Sequence, residues 1–202
     1  MELIVTALIV ATVMVLFLPA LARPKQHGTR MECVNNLKQN SIAFRIWSDD
    51  NGDKLPMEVL TNMGGTKEFA DGSEVFRHFQ VMSNELGDPR MVICPVDRQR
   101  KPATNWTTDF NNIHVSFFIG RDAKTSLTNS FLAGDRNLKN GQTAQKGILE
   151  FATNQPVKWG RDMHKENGDV LFVDGSVKML SSAKVKEALG ETGTATNRLV
   201  FP

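Results

Sequence analysis

The stretch "GDVLFVDGSVKML", residues 168–180, decides how the rest of the chain is read. Two β-rich runs flank Asp174-Gly175, and that dipeptide predicts a hairpin with a type I′ turn, which needs positive φ at both central positions. Upstream, "NIHVSFFIG" (112–120) alternates Ile113, Val115, Phe117 and Ile119 on one face, as a half-buried strand does. "SFLAGD" (130–135) and "GILEFA" (147–152) are two more strand candidates, and "RMVICP" (90–95) reads as a short strand ending at Pro95. These segments predict a mostly antiparallel sheet.

Helical signals surround it. "TRME" offers a capping box in which Thr29 caps an N–H and Glu32 reaches back, so a helix is expected from about Arg30 to Trp47. Its stripe of Cys33 or Val34, Leu37, Ser41, Phe44 and Trp47 recurs at three- and four-residue steps, which lets one face lie against a sheet. "SDDNGDKLP" ends that helix. Asp49, Asp50 and Asp53 do not have the spacing of an EF-hand loop, and Asn-Gly followed by Pro56 reads as a turn. "SEVFRHFQVMSNEL" places Val75, Phe76, Phe79, Met82 and Leu86 at helical spacing after Ser73 as N-cap, with His78 as a surface neighbour. "SSAKVKEAL" predicts a short C-terminal helix.

The N-terminus reads differently. Glu2 precedes twenty uncharged residues, Leu3 to Ala22, and Arg23 closes the run. Such a segment makes a helix about 30 Å long, enough to cross a bilayer. A carboxylate at the bilayer centre costs ~2.5–3.5 kcal/mol, so Glu2 is expected at an interface, neutralised, or paired with a cation. Ala20-Leu21-Ala22 fits a signal-peptidase site, but no basic residue precedes the apolar run and the run outlasts a usual signal core. Arg23, Lys25 and Arg30 follow the run, which read literally would keep the larger part inside the cell.

The 24 basic and 22 acidic residues leave a formal charge of +2, too mild a balance to point to nucleic acid. Catalytic constellations are thin: there is no Gly-x-Ser-x-Gly elbow, no phosphate loop, no His-Glu-x-x-His and no cysteine pair at zinc spacing. His27, His78, His114 and His164 are scattered. Pairing His164 with Asp174 or Asp135 would make a general base, but no nucleophile accompanies it, and ordering of a hairpin is the preferred role. No catalytic, cofactor or metal site is therefore assigned.

The frame "MELIVTALIV…LFLPALAR…CVNNLKQ…AFRIWSDDNGDKLP" resembles the N-terminal region of type II secretion-type pseudopilins with a prepilin-type N-terminal methylation segment. His164, nine residues "KENGDVLFV", then Asp174-Gly175 resembles the H-X9-DG motif of one subfamily. "FRHFQVMSNEL", "ICPVD", "GDRNL" and "TNRLVFP" are also similar to that group. The resemblance implies a pilin-like α+β fold, with a long N-terminal transmembrane helix packed on a mostly antiparallel sheet. It implies an assembly helix over 1–22, an amphipathic region over 23–52 with a kink at 24–28 from Pro24 and Gly28, and a globular domain over 53–202 carrying the H-X9-DG hairpin.

By the same resemblance Glu2 matches the glutamate that pairs with a neighbouring subunit's amine, and Pro19 the proline common in this helix. The implied protein is a single-pass inner-membrane subunit of a secretion or pilus-like assembly, with its globular domain periplasmic or extracellular. Its partners would be other pseudopilins, inner-membrane assembly components and the membrane. A basic leader ending in Gly, then Phe and two residues, is expected upstream of Met1, making Glu2 the fifth residue after processing. The oxidising location leads to an expected Cys33–Cys94 disulfide. The alternative is a secreted or membrane-anchored binding or enzymatic domain, with residues 1–22 as signal or anchor; a mature start at Arg23 would favour it.

Overall fold

A computed structural model describes residues 2–7, 12–14, 25–152 and 154–202. Among the described residues eight strands form, and six of them make one sheet in the order β4-β8-β1-β2-β6-β7, every neighbouring pair antiparallel. These are β1 (Phe117–Gly120), β2 (Phe131–Asp135), β4 (Ile148–Ala152), β6 (Asn167–Phe172), β7 (Val177–Ser181) and β8 (Thr196–Val200). The two remaining strands, β3 (Leu138–Lys139) and β5 (Lys158–Trp159), pair with each other. Within residues 25–202 the helices that accompany them are α1 (Lys25–Asp50), α2 (Phe76–Gln80), α3 (Ser83–Leu86) and α4 (Ser182–Gly190).

Both faces of the sheet are covered. Leu171 and Val200 point to one side with Phe117 and Ile119, and there meet Cys33, Leu37, Phe44 and Trp47 of α1. Their chain neighbours Val170, Phe172 and Leu199 point to the other side, where Val185 and Leu189 of α4 lie. This is the period-two alternation of a strand, with apolar residues on both sides because helices occupy both. Phe118 is accordingly as buried as Phe117 and Ile119, while Ile113 lies in a 3-10 turn before the strand and is 57% exposed.

The long apolar N-terminal helix packed on a sheet is not seen. Among the described residues no helix is long and apolar enough to cross a membrane. The helix that lies on the sheet is α1, whose 26 residues carry Arg30, Glu32, Lys38, Arg45, Asp49 and Asp50. That charge content suits a helix with one buried face, not one surrounded by lipid. This overturns the pilin-like fold expected from the resemblance, and with it the transmembrane reading and the single-pass inner-membrane location. Residues 2–7 and 12–14 are helical and exposed; Pro19 and the expected kink residue Pro24 lie outside the described residues.

Local corrections have local causes. Helix α1 begins at Lys25 and runs through Gly28 and Thr29, so Thr29 is not its cap. It ends where Gly52 and Asp53 both adopt left-handed φ, with the Asp53 N–H donating to the Ser48 carbonyl. "RMVICP" is not a strand: Pro89–Val92 is a 3-10 turn, and the Met91 and Ile93 carbonyls accept from the Asn40 and Asn36 amides of α1. The helix expected after Ser73 divides into α2 and α3. His78 is fully buried, not a surface neighbour, and its Nδ1 lies 2.6 Å from the Thr66 hydroxyl. The 168–180 hairpin forms as β6 and β7, but its turn is not type I′, since only Gly175 has positive φ. The Gly175 N–H donates to Phe172, and the Phe172 N–H to Ser176, a three-residue loop with a left-handed glycine.

Two outcomes follow from this packing. Gly175 has φ +84°, and a Cβ there would stand 3.1 Å from Ser41 Oγ of α1. Gly175→Val should lower stability by at least ~1–2 kcal/mol and Gly175→Asn by less, because Asn tolerates the left-handed region. Equal urea midpoints for Gly175→Val and wild type would contradict the turn.

Burial also pushes the His78 imidazole down from 6.5 to about 4. The folded protein therefore holds His78 neutral while the unfolded chain binds a proton. The stability gained relative to low pH is complete above pH 6.5 and is lost as pH falls towards 4, on the order of 3–4 kcal/mol at ~1.4 kcal/mol per pH unit. Across that window, stability of His78→Gln should fall less steeply than that of wild type, by roughly one proton in slope. Identical slopes would mean that His78 takes up its proton equally in both states.

Candidate functional site

The register of β2 against β6 sets two carboxylates side by side. Ala133 lies opposite Leu171 and Gly134 opposite Val170, which brings Asp135 next to Asp169 on the face that α1 covers. Gly134 permits this approach, because a Cβ there would lie 2.7 Å from the Phe118 ring and 2.9 Å from the Asp169 carbonyl. The Asp169 backbone N–H donates to Asp135 Oδ2 at 2.7 Å.

Three further side chains converge on Asp135. Cys33, one turn before Leu37 on the buried stripe of α1, places Sγ 3.7 Å from Asp135 Oδ1. His164, in the bend before β6, places Nε2 3.4 Å from Asp135 Oδ2 and 3.6 Å from Asp169 Oδ2. Cys94 follows the 3-10 turn that Asn36 and Asn40 tie to α1, and its Sγ lies 3.2 Å from His164 Nε2. The sulfurs of Cys33 and Cys94, Nε2 of His164 and a carboxylate oxygen of Asp135 all lie within 4.8 Å of one another, and all four residues are buried.

The electrostatics follow from that burial. Asp135 is pushed well above the usual carboxylate range by burial and then by the neighbouring Asp169 charge. Asp169 rises to about 6 by burial, with Arg30 pulling the other way. Burial also drives the Cys33 thiol up, helped by its contact with Cys94, and drives His164 down to about 4, with Arg30 adding to the effect. Each group is pushed towards its neutral form. Neither oxygen of Asp169 accepts a hydrogen bond. The donor set of two sulfurs, one imidazole nitrogen and one carboxylate oxygen is of the kind that holds a soft or borderline divalent cation.

The structure brings together some of the residues singled out in the sequence and separates others. His164 meets Asp135, while Asp174 is at the far end of β6 and caps the hairpin loop through the Ser176 N–H. Cys33 and Cys94, the pair expected to form a disulfide, are adjacent free thiols here, in contact with each other as well as with Asp135 and His164. Glu2 is helical and exposed, remote in sequence from this cluster. Asp169 was not anticipated. Its signal is its position beside the hairpin's first strand residues, an acid within an otherwise apolar run.

A buried charge pair holds the loop that carries Cys94. Arg136 donates to both oxygens of Asp97 at 2.6 and 2.8 Å, and the Asp97 side chain has no exposure. Burial raises Asp97, but the Arg136 fork outweighs it and holds the carboxyl below its usual value.

Comparison with known proteins adds little. A stretch of 142 residues is 28% identical to Paired amphipathic helix protein Sin3-like 2 of Arabidopsis thaliana, covering 69% of this chain and 10% of that protein. The chain thus spans about a tenth of that relative's length. No protein-family model matches, and no solved structure matches.

The Asp97–Arg136 pair generates a stability prediction. Arg136→Met should cost about 3 kcal/mol by leaving a buried carboxylate alone, and adding Asp97→Leu should recover much of the loss. Additive losses in chemical denaturation would show that the two side chains contribute separately.

Proposed function

We propose that this chain is a structural, non-catalytic subunit of a type II secretion-type or pilus-like assembly, associating with other subunits of that assembly through helical surfaces near its N-terminus. The observation that most supports this reading is where the H-X9-DG residues lie. His164 enters the buried cluster at one end of β6, and Asp174-Gly175 turns the hairpin against Ser41 of α1 at the other. The motif rivets a hairpin to a helix instead of lining an open cleft, which is the part a scaffold residue plays.

The surface of α1 supports the same reading. Met31, Ile42 and Ile46 are 58%, 53% and 45% exposed. Eleven residues make about three helical turns, so Met31 and Ile42 share one edge, and Ile46 continues it. An apolar edge of this kind suits packing against another helix. Ahead of it, Leu3, Ile4 and Val5 are exposed in the helical segment that begins with Glu2.

Glu2 provides the test. Its carboxylate is expected to pair with a neighbouring subunit's amine, an attraction that strengthens as water is excluded from the contact. Glu2→Gln, compared with wild type at equal abundance in cells that carry the partner subunits, should lower the yield of subunit crosslinks several-fold. Unchanged yields, together with no crosslinks from probes at positions 31, 42 and 46, would refute the assembly role.

A further inference from the structure

We propose that Cys33, Cys94, Asp135 and His164 form a zinc(II) site that clamps helix α1 to the sheet. Zinc takes thiolate sulfur at about 2.3 Å, imidazole nitrogen at about 2.0–2.1 Å and carboxylate oxygen at about 2.0–2.2 Å. A tetrahedron with those radii has edges of about 3.3–3.8 Å. Cys94 Sγ to His164 Nε2 is 3.2 Å, His164 Nε2 to Asp135 Oδ2 is 3.4 Å, and Cys33 Sγ to Asp135 Oδ1 is 3.7 Å. The last two distances run to different oxygens of Asp135, and with one donor atom from each residue every pair lies inside 4.8 Å, so a contraction of about 1 Å at the widest pair closes the shell on a zinc ion.

The donor chemistry selects the metal. Two sulfurs and an imidazole disfavour magnesium and calcium, which take oxygen ligands. Four protein donors with no exposed member close the shell, which is the character of a structural site; a catalytic one keeps a position open for water or substrate. Asp169 is an independent pointer. Its carboxylate is fully buried, accepts no hydrogen bond, and lies 3.6 Å from His164 Nε2, so it is an unpartnered polar side chain facing the same cluster. Binding releases to solvent the two thiol protons and the proton that burial favours on Asp135, and leaves the zinc ion with two thiolates, one carboxylate and a neutral imidazole, a net charge of one negative that Arg30 partly offsets.

The four ligands come from α1, the Pro95 loop, the end of β2 and the bend before β6. Their separation in the chain, from residue 33 to residue 164, makes the site a cross-link of distant segments. Metal binding to such a site adds to folding stability, because the unfolded chain cannot assemble it.

Full-length protein expressed with added zinc and purified without chelator should contain about one zinc per chain by elemental analysis. Chelation should lower its melting temperature, and zinc(II) alone should restore it. Cobalt(II) added to the chelated protein should give the strong visible bands of tetrahedral coordination with thiolate charge transfer. Cys94→Ser and His164→Ala should each drop zinc below about 0.2 per chain, whereas Lys186→Gln on the exposed side of α4 should keep it. Because ligand variants can fail to fold, the wild-type chelation and cobalt readings decide. Wild-type protein with less than about 0.2 zinc per chain and a melting temperature indifferent to chelator and zinc would overturn the site, as would a weak octahedral cobalt spectrum or a Cys33–Cys94 disulfide in protein purified without reductant.

Discussion

The burial of Asp135 constrains the rest of the structure. A carboxylate removed from water must be neutralised, hydrogen-bonded or matched by a cation, or the fold loses several kcal/mol. Asp135 takes the Asp169 backbone N–H, the Cys33 thiol and the His164 ring as neighbours, and these lie on three other segments. Each neighbour fixes a degree of freedom. The Asp169 N–H fixes how far β6 has slid along β2, Cys33 fixes the rotation of α1 about its axis, and His164 fixes the path by which the chain enters β6. A slip of one residue in β6 would turn Asp169 and Leu171 to the α4 side and Val170 and Phe172 towards α1, so apolar packing and polar cluster specify the same register.

The surrounding scaffold gives that arrangement its rigidity. Helix α1 contacts β6 and β7 on one face while α4 contacts β7 on the other. Small residues at the closest approaches let this happen: Gly134 beneath Phe118, and Gly168 where a Cβ would meet the Trp159 ring at 2.5 Å. Asn36 and Asn40 do for the Cys94 loop what ladder hydrogen bonds do for a strand, satisfying carbonyls that no neighbouring strand reaches. The polar residues of α1's buried face are thus as necessary to its docking as the apolar ones.

The H-X9-DG residues and the cluster are two ends of one device. His164 belongs to the cluster, and Asp174-Gly175 is the turn that presses on Ser41, with β6 as the bar between them. A role in holding a hairpin to a helix is compatible with a subunit whose work is done by its surface.

Much of the local structure was legible from residue order. The strands at 117–120 and 131–135, the hairpin at 168–180, the helix at 182–190 and the buried stripe of Cys33, Leu37, Phe44 and Trp47 are legible from apolar runs, turn residues and spacing, because side-chain direction repeats every 2 or 3.6 residues. Periodicity misled where an apolar run met prolines, as in Pro89–Cys94, and where a helical pattern was divided, as at 76–86. The apolar run over residues 3–22 suggests a membrane helix by composition alone, whereas what any helix packs on is a tertiary matter. The cluster was illegible for a related reason. Cys33, Cys94, Asp135 and His164 have no common spacing, and nothing local says that one helix phase, one strand register and two loop paths will bring their donor atoms within 4.8 Å. By itself the sequence determined most of the apolar residues that face inward, though it misplaced His78 and Ile113; only the tertiary structure decided which inward-facing residues would meet, because meeting depends on how separate elements dock and not on the period within any one of them.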